Sequence, residues 1–329
     1  MNETWDCIVV GGGAAGLSAA LVLGRARKRV LLVDAGEQSN RPAHGIGGLL
    51  GHDTRPPDQL YAAGHRELSG YPSVEVRPGR VTAASPREDR FTVTMADGSE
   101  AASRRMILAT GMHYRLPELP GIAERWGHSV FHCPFCHGWE VRDRPLAVLD
   151  ADPSTGVHRA LLLSGWSADV TLLTNGPASL TEEDRDRLAV AGIGVDERPV
   201  AAVHGPGDDL STIRFVDGST RPCGGLLVAV VLHQRPDLAA QLGLELAPPD
   251  PLTADAVAVD PTGETNVPGV FVAGDAGAGM PSVANAIAQG ANAATAVVRS
   301  LLTEDHHLPA PDPLPSQPAV EKLAPSTTH

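Results

Sequence analysis

The chain has 329 residues, enough for two ordinary domains and a sizeable core. Lysine and arginine total 26 against 39 aspartates and glutamates, a net charge of -13 with no basic run, which excludes a chain built to grip a phosphate backbone. No stretch approaches the roughly 20 apolar residues of a membrane span, and the N-terminus runs into a strand without a charged leader or cleavage site, so a cytoplasmic protein that binds neither membrane nor nucleic acid is expected.

Residues 5–10 (WDCIVV) read as a short apolar strand. GGGAAG follows, then an Ala/Leu-rich helical run to Gly24, and residues 30–34 (VLLVD) read as a second strand. Such a unit predicts a right-handed parallel crossover. Gly11, Gly13 and Gly16 satisfy G-x-G-x-x-G, with Ala14 and Ala15 between the second and third glycines. The first glycine permits a tight turn, the second admits a pyrophosphate to the backbone, and the third lets helix and strand pack closely. The helix N-terminus adds partial positive charge. Asp34, ending the second strand, is placed to accept a ribose hydroxyl. These residues together predict a dinucleotide site.

A polar, Gly/Pro-rich passage spans residues 36–58, and the alternating segments EVRPGRVTAA and RFTVTMADG read as hairpin strands. Another apolar strand, Met106 to Ala109, ends at Thr110-Gly111. Near Leu116-Pro117 the pattern starts afresh: LAVL (146–149), a helix-like run (157–165) and VTLLT (170–174) repeat the opening unit. A last block from Gly269 reads as a strand followed by an Ala-rich helix. Beyond Leu308 six prolines and little apolar content predict a disordered tail. The expected fold class is α/β, with a second doubly wound, Rossmann-like domain inserted into a discontinuous first one. The expected limits are 1–117 and 248–308 for the first domain, 118–247 for the insert, and 309–329 for the tail.

Two of the four cysteines form Cys133-Pro-Phe-Cys136, a spacing that suggests redox chemistry or half a zinc site. His128, His132 and His137 surround the pair, so Cys2His2 is arithmetically possible. Zinc fingers, however, separate their ligand pairs by a longer loop, and no metal is expected here. A two-residue gap lets both sulfurs reach one reacting centre and depresses the first thiol's pKa. Cys7, inside the first strand, and Cys223 are expected to be packing residues. His137 can accept and donate a proton near neutral pH and is the candidate base; His132 is the weaker one, and a purely structural turn histidine is the alternative. Phe135, Trp139 and Trp126 offer rings to wall an apolar cleft, although core packing is the more usual use of such rings.

Gly269-Val-Phe-Val-Ala-Gly-Asp275 resembles the G-x-F-x-x-G-D motif of the two-domain disulfide reductase flavoproteins, and Ala109-Thr110-Gly111 matches their A-T-G turn. The resemblance implies FAD. It implies contacts from Gly11, Gly13, Ala14, Ala15, Gly16, Asp34, Ala109, Thr110, Gly111, Gly274, Asp275 and Ala284. Asp275 would hold the ribityl or phosphate region, and the following helix would point its N-terminus at the flavin pyrimidine, favouring the negative charge of the reduced ring. Low-molecular-weight thioredoxin reductases carry a C-x-x-C at the start of the inserted domain, where Cys133 and Cys136 stand. That implies Cys136 facing the flavin, Cys133 exchanging with substrate, and a homodimer. His137 occupies the place of an aspartate in the family's C-A-T-C-D.

Two motifs of that family are missing. At the second nucleotide turn, Ala151 and Pro153 take the first two glycine positions, and Asp150 and Asp152 bring negative charge where a pyrophosphate would lie. Asn175-Gly176-Pro177-Ala178 replaces the basic run that grips a 2′-phosphate. Pro281-Ser282 also replaces an Arg-Gln pair before the last helix. Cys133-Pro-Phe-Cys136-His137-Gly-Trp-Glu140 without nicotinamide motifs is most similar to the dithiol oxidases that close the disulfides of gliotoxin, holomycin and romidepsin. The resemblance implies an FAD-dependent enzyme that turns a small-molecule dithiol, such as a reduced dithiolopyrrolone, into its intramolecular disulfide, with O2 as acceptor and without NADPH. Two other readings stay open: a thioredoxin reductase fed by a donor such as ferredoxin, and a flavin redox sensor without turnover.

Overall fold

The computed structural model describes residues 4–235 and 237–308, so the expected tail at 309–329 lies outside the described residues. The strand Trp5–Val10 runs parallel between Val30–Asp34 and Glu100–Leu108. Val74–Pro78 extends the sheet beyond Val30–Asp34, again in parallel. Glu100–Leu108 is long enough to serve two partners on its other side. Its first half pairs antiparallel with Arg90–Met95 and its second half parallel with Val270–Val272. Residues 75–78 therefore do not form the expected hairpin; that hairpin is Val81–Arg87 with Arg90–Met95.

One face of this sheet is covered by the helices Ala14–Arg25 and Val283–Asp305, whose Leu17, Ala20, Leu23, Ala293, Val297 and Leu301 are buried together. Small residues set their distance: a Cβ at Gly290 would fall 2.1 Å from the Ala15 carbonyl oxygen. The helix Pro57–Leu68, unread in the sequence, buries only Pro57, Tyr61 and Leu68. So thin an apolar stripe leaves little periodic signal.

The second unit is a parallel sheet ordered Gly194–Asp196, Val170–Leu173, Leu146–Leu149, Gly225–Val228, Val130–Phe131. The helix Pro153–Leu163 connects its central strands, starting one turn earlier than expected because Pro153 is pre-set for a first helical position. A three-stranded antiparallel sheet, Val200–His204, Thr212–Phe215 and Thr220–Pro222, is appended. The chain crosses between the units twice, and the crossings Met112–Arg115 and Val231–Gln234 pair antiparallel with each other. After the return, Leu238, Ala239, Leu242 and Leu244 pack with Ile8 and Leu31 of the first unit. We therefore put the second boundary at the Val231–Gln234 crossing, ahead of the expected residue 247. Among the described residues no helix is long and apolar enough to cross a membrane.

Candidate functional site

A cavity of about 520 Å³ opens where the two units meet. Its first wall is the glycine turn. Gly11 has a φ of +106°, and a Cβ there would fall 2.2 Å from the Ala109 carbonyl oxygen, so strand, turn and the Ala109-Thr110-Gly111 segment meet only if residue 11 is glycine. A Cβ at Gly16 would fall 1.8 Å from the Gly11 oxygen, the close helix–strand contact expected of the third glycine. Gly16 does its work beneath the cavity; Gly11, Gly13, Ala14 and Ala15 line it. The helix starts at Gly13 without a side-chain cap, leaving its first-turn N–H groups for a phosphate. Asp34 accepts hydrogen bonds from the Gly12 N–H at 3.1 Å and the Gly36 N–H at 3.0 Å, which fixes its carboxylate at the cavity edge.

The far wall comes from the C-terminal block. Gly274, Asp275 and Ala284 line the cavity, and Ser282 caps the last helix by accepting from the Asn285 N–H at 3.1 Å. Asp275 is buried, which pushes its carboxyl above the usual range, while a hydrogen bond from Tyr114 Oη at 2.9 Å and the Arg235 charge pull it down. Burial and the Asp275 charge push the Tyr114 phenol far upward, so it stays a donor. The pairing of glycines that forbid side chains with free helical amides and fixed carboxylates fits a dinucleotide flavin.

The second unit contributes Trp126, His132, Cys133, Phe135, Cys136 and His137 to the lining. Pro134–His137 forms a single helical turn after Cys133. Both cysteines are free thiols. A hydrogen bond from the Cys136 thiol, with the N–H groups of Cys136 and Phe135, draws the Cys133 thiol below its ordinary value. The same hydrogen bond, burial and the charges of Cys133 and Glu140 push Cys136 well above it. Of the two, Cys133 is therefore the thiol that ionises first. Cys7 and Cys223 are buried in the cores of the two units, and burial raises both thiols, Cys223 to about 12. They are packing residues, as expected.

The two histidines differ. His132 is pushed down to about 4 by burial and by the nearby His137 and Arg159, and its ring stacks on Trp126 with centroids 5.5 Å apart. His137 stacks on Phe131 at 5.8 Å. Burial lowers its pKa as well, so it is neutral near pH 7. Neither of its buried ring nitrogens meets a partner in bonding geometry, although the Gly127 and Cys133 backbones lie close enough to favour protonation slightly. A neutral imidazole with a free lone pair beside the dithiol can take a proton. Trp139 departs from expectation: it is not part of the lining but lies exposed outside it, with the Arg142 guanidinium 3.9 Å over its ring.

At the turn of the second unit, the Asp152 carboxylate caps the helix Pro153–Leu163 by accepting from the Ser154 N–H at 2.9 Å. Asp150 is buried behind it, ion-paired to Arg159 and accepting from Thr155 Oγ1 at 2.8 Å. A carboxylate therefore already sits on the helix end that would receive a pyrophosphate.

Sequence reasoning missed several lining residues. Gln38, whose amide lies 3.3 Å from both Asp34 oxygens, and the loop through Pro42, Gly45 and Gly47 fall in the passage read only as polar. Arg235, bonded to the Met112 carbonyl at 3.0 Å and Ser39 Oγ at 3.1 Å, lies far away in sequence without a motif.

Comparison with known proteins agrees with this geometry. A profile of the pyridine nucleotide-disulphide oxidoreductase family matches residues 5–290. The chain is 32% identical over 315 residues to thioredoxin reductase aclD of Aspergillus oryzae, spanning 92% of this chain and 98% of that one. An oxidoreductase from Agrobacterium tumefaciens superposes with a TM-score of 0.86 at 37% identity, over 91% of this chain and 99% of that one. The crystal structure of HlmI does so with a TM-score of 0.86 at 37% identity, over 93% and 96%. The chain belongs to the pyridine nucleotide-disulphide oxidoreductase family and is an FAD-binding, thioredoxin reductase-like oxidoreductase.

Proposed function

We propose that this protein oxidises a small-molecule dithiol to its intramolecular disulfide, with O2 reduced to H2O2, in the making of or protection against a disulfide natural product such as a dithiolopyrrolone. One observation carries the proposal: Cys133, Cys136 and His137 line the same cavity as the flavin-holding residues, while the Asp152 carboxylate covers the helix end a nicotinamide dinucleotide would need. Gly11, Gly13, Ala14, Ala15, Asp34, Ala109, Thr110, Gly111, Gly274, Asp275 and Ala284 would hold FAD.

A substrate thiol attacks Cys133 Sγ of the Cys133–Cys136 disulfide, the S–S bond breaks, and Cys136 leaves with the electron pair and takes up the proton that the attacking thiol gives up. The substrate's second thiol gives its proton to His137 and attacks the substrate sulfur of the mixed disulfide, releasing Cys133. The substrate leaves as a cyclic disulfide, having lost two electrons and two protons. The enzyme is left with a Cys133 thiolate, a Cys136 thiol and a protonated His137, the thiolate–thiol arrangement that the hydrogen bonding favours. Bound FAD supplies the two-electron acceptor that returns the pair to a disulfide, and O2 takes the electrons from it to give H2O2. Phe135 and Trp126 offer an apolar wall to a compact substrate. The functional unit would be a homodimer in the cytoplasm.

Anaerobic addition of a compact dithiol, and separately of NADPH, tests the proposal in a stopped-flow trace. The dithiol bleaches the flavin absorbance and NADPH does not. Rapid bleaching by NADPH would restore an ordinary thioredoxin reductase.

A further inference from the structure

A second cluster of ligand-bearing side chains lies beside the cavity and takes no part in the chemistry above. His44, His128 and Asp208 bring one ligand atom each to within 4.8 Å of one another. His44 Nε2 is 3.0 Å from Asp208 Oδ2, and His128 Nδ1 is 3.7 Å from the same oxygen. Ligands about 2.0–2.2 Å from a tetrahedral cation stand roughly 3.3–3.5 Å apart, so the two separations bracket those of a chelate. His128 Nδ1 is buried and has no hydrogen-bond partner. Among the described residues the Asp208 carboxylate faces these two imidazoles and no lysine or arginine.

The cluster draws on both units. His44 lies in the loop of the first unit, between the cavity-lining Ala43 and Gly45. His128 follows Gly127, where φ is +82° and a Cβ would fall 3.1 Å from the Ala43 nitrogen; glycine lets the two units approach here. Asp208 is in the loop between Val200–His204 and Thr212–Phe215, and its carbonyl accepts from Ser129 Oγ at 2.6 Å. The buried Arg125 braces that loop by donating to the Asp209 carbonyl at 3.1 Å and to the Gly205 carbonyl. His128 and Asp208 are thus preset within the insert, and His44 joins them only when the units stand in this orientation.

We propose that His44, His128 and Asp208 bind a divalent transition cation, Zn2+ first, and that the metal clasps the two units so that Cys133 and Cys136 stay in the cavity. Two imidazoles and a carboxylate suit Zn2+, with a fourth position left for water. The cation undergoes no redox change. Its place is a domain junction, apart from the Cys133–Cys136 dithiol.

The test uses full-length, FAD-loaded protein carrying Cys133→Ser and Cys136→Ser, so that the dithiol cannot take the metal. Titrated with ZnCl2 against a chromophoric zinc chelator, it binds one Zn2+ per chain. Adding His44→Ala or Asp208→Asn weakens that binding at least about tenfold, the scale on which even supporting contacts of metal sites act. The His44 side chain is 78% exposed, so its removal leaves the core intact. Spin labels on the two units report the clasp: their distance distribution narrows with Zn2+ in the parent protein and not in His44→Ala. Failure to bind zinc, or binding unchanged in both variants, overturns the site. Binding without any change in the distance distribution overturns the clasp.

Discussion

Gly47 lies directly against the main chain of Cys136: a Cβ at Gly47 would fall 2.4 Å from the Cys136 carbonyl oxygen and 3.1 Å from its carbon. A loop of the flavin-holding unit is thereby seated on the dithiol turn of the other. The obstacle is backbone, which cannot swing aside as a side chain would. Gly47→Val should therefore displace Cys136 and lower kcat with a small dithiol by on the order of 10²-fold, the cost of a misplacement near 1 Å. Gly47 also lines the cavity that takes the flavin, so kcat is compared per bound FAD. Wild-type kcat in this variant would mean that the contact does not position the sulfur.

The two cysteines should divide the work. Iodoacetamide at neutral pH should alkylate Cys133 first, since its thiol is the one drawn downward, and leave Cys7 and Cys223 unmodified. Cys133→Ser should abolish turnover yet keep a long-wavelength thiolate–flavin absorbance. Loss of Cys133 removes the first cause holding the Cys136 pKa up, so Cys136 ionises more readily in that variant. Cys136→Ser should lose the absorbance. The opposite pattern would reverse the assignment of the sulfurs.

Much of this site is legible in sequence because close backbone approach leaves a local signature. The glycines at 11 and 16, the Ala109 carbonyl that Gly11 approaches and the Gly274-Asp275 pair each announce a contact that a side chain would block or a carboxylate must make. The rest of the lining is assembled by topology. Tyr114 reaches Asp275, and Arg235 reaches Ser39, only because the two crossings Met112–Arg115 and Val231–Gln234 pair at the junction. No periodicity marks such partners. Trp139 differs for a related reason: nearness to Cys136 in sequence does not fix where the turn after the Pro134–His137 helix carries the ring, and here it stands against Arg142.

On the proposed mechanism His137 sets the pH dependence. Burial is the first cause lowering its pKa, so the acid limb of the kcat/KM profile should fall below the ordinary histidine value of about 6.5. Above that limb His137 is neutral and accepts the substrate proton; as pH falls through its pKa the base is lost and the rate drops. His137→Ala should cost on the order of 10²-fold and remove the limb. His132→Ala should leave the limb in place, because His132, pushed down to about 4, is already neutral across that range. An unchanged profile in His137→Ala would return it to a packing role against Phe131.

On the proposed function, the flavin and the dithiol serve a compact substrate rather than a protein disulfide. A small dithiol carries its own resolving thiol within reach of the mixed disulfide on Cys133, whereas a monothiol must wait for a second molecule. Glutathione should therefore turn over poorly. The most direct measurement is oxygen uptake by the FAD-loaded enzyme with a reduced dithiolopyrrolone against uptake with reduced thioredoxin at matched concentrations. The small dithiol should drive faster oxygen consumption, with one H2O2 and one cyclic disulfide formed per O2. Equal or faster oxidation of thioredoxin would contradict it.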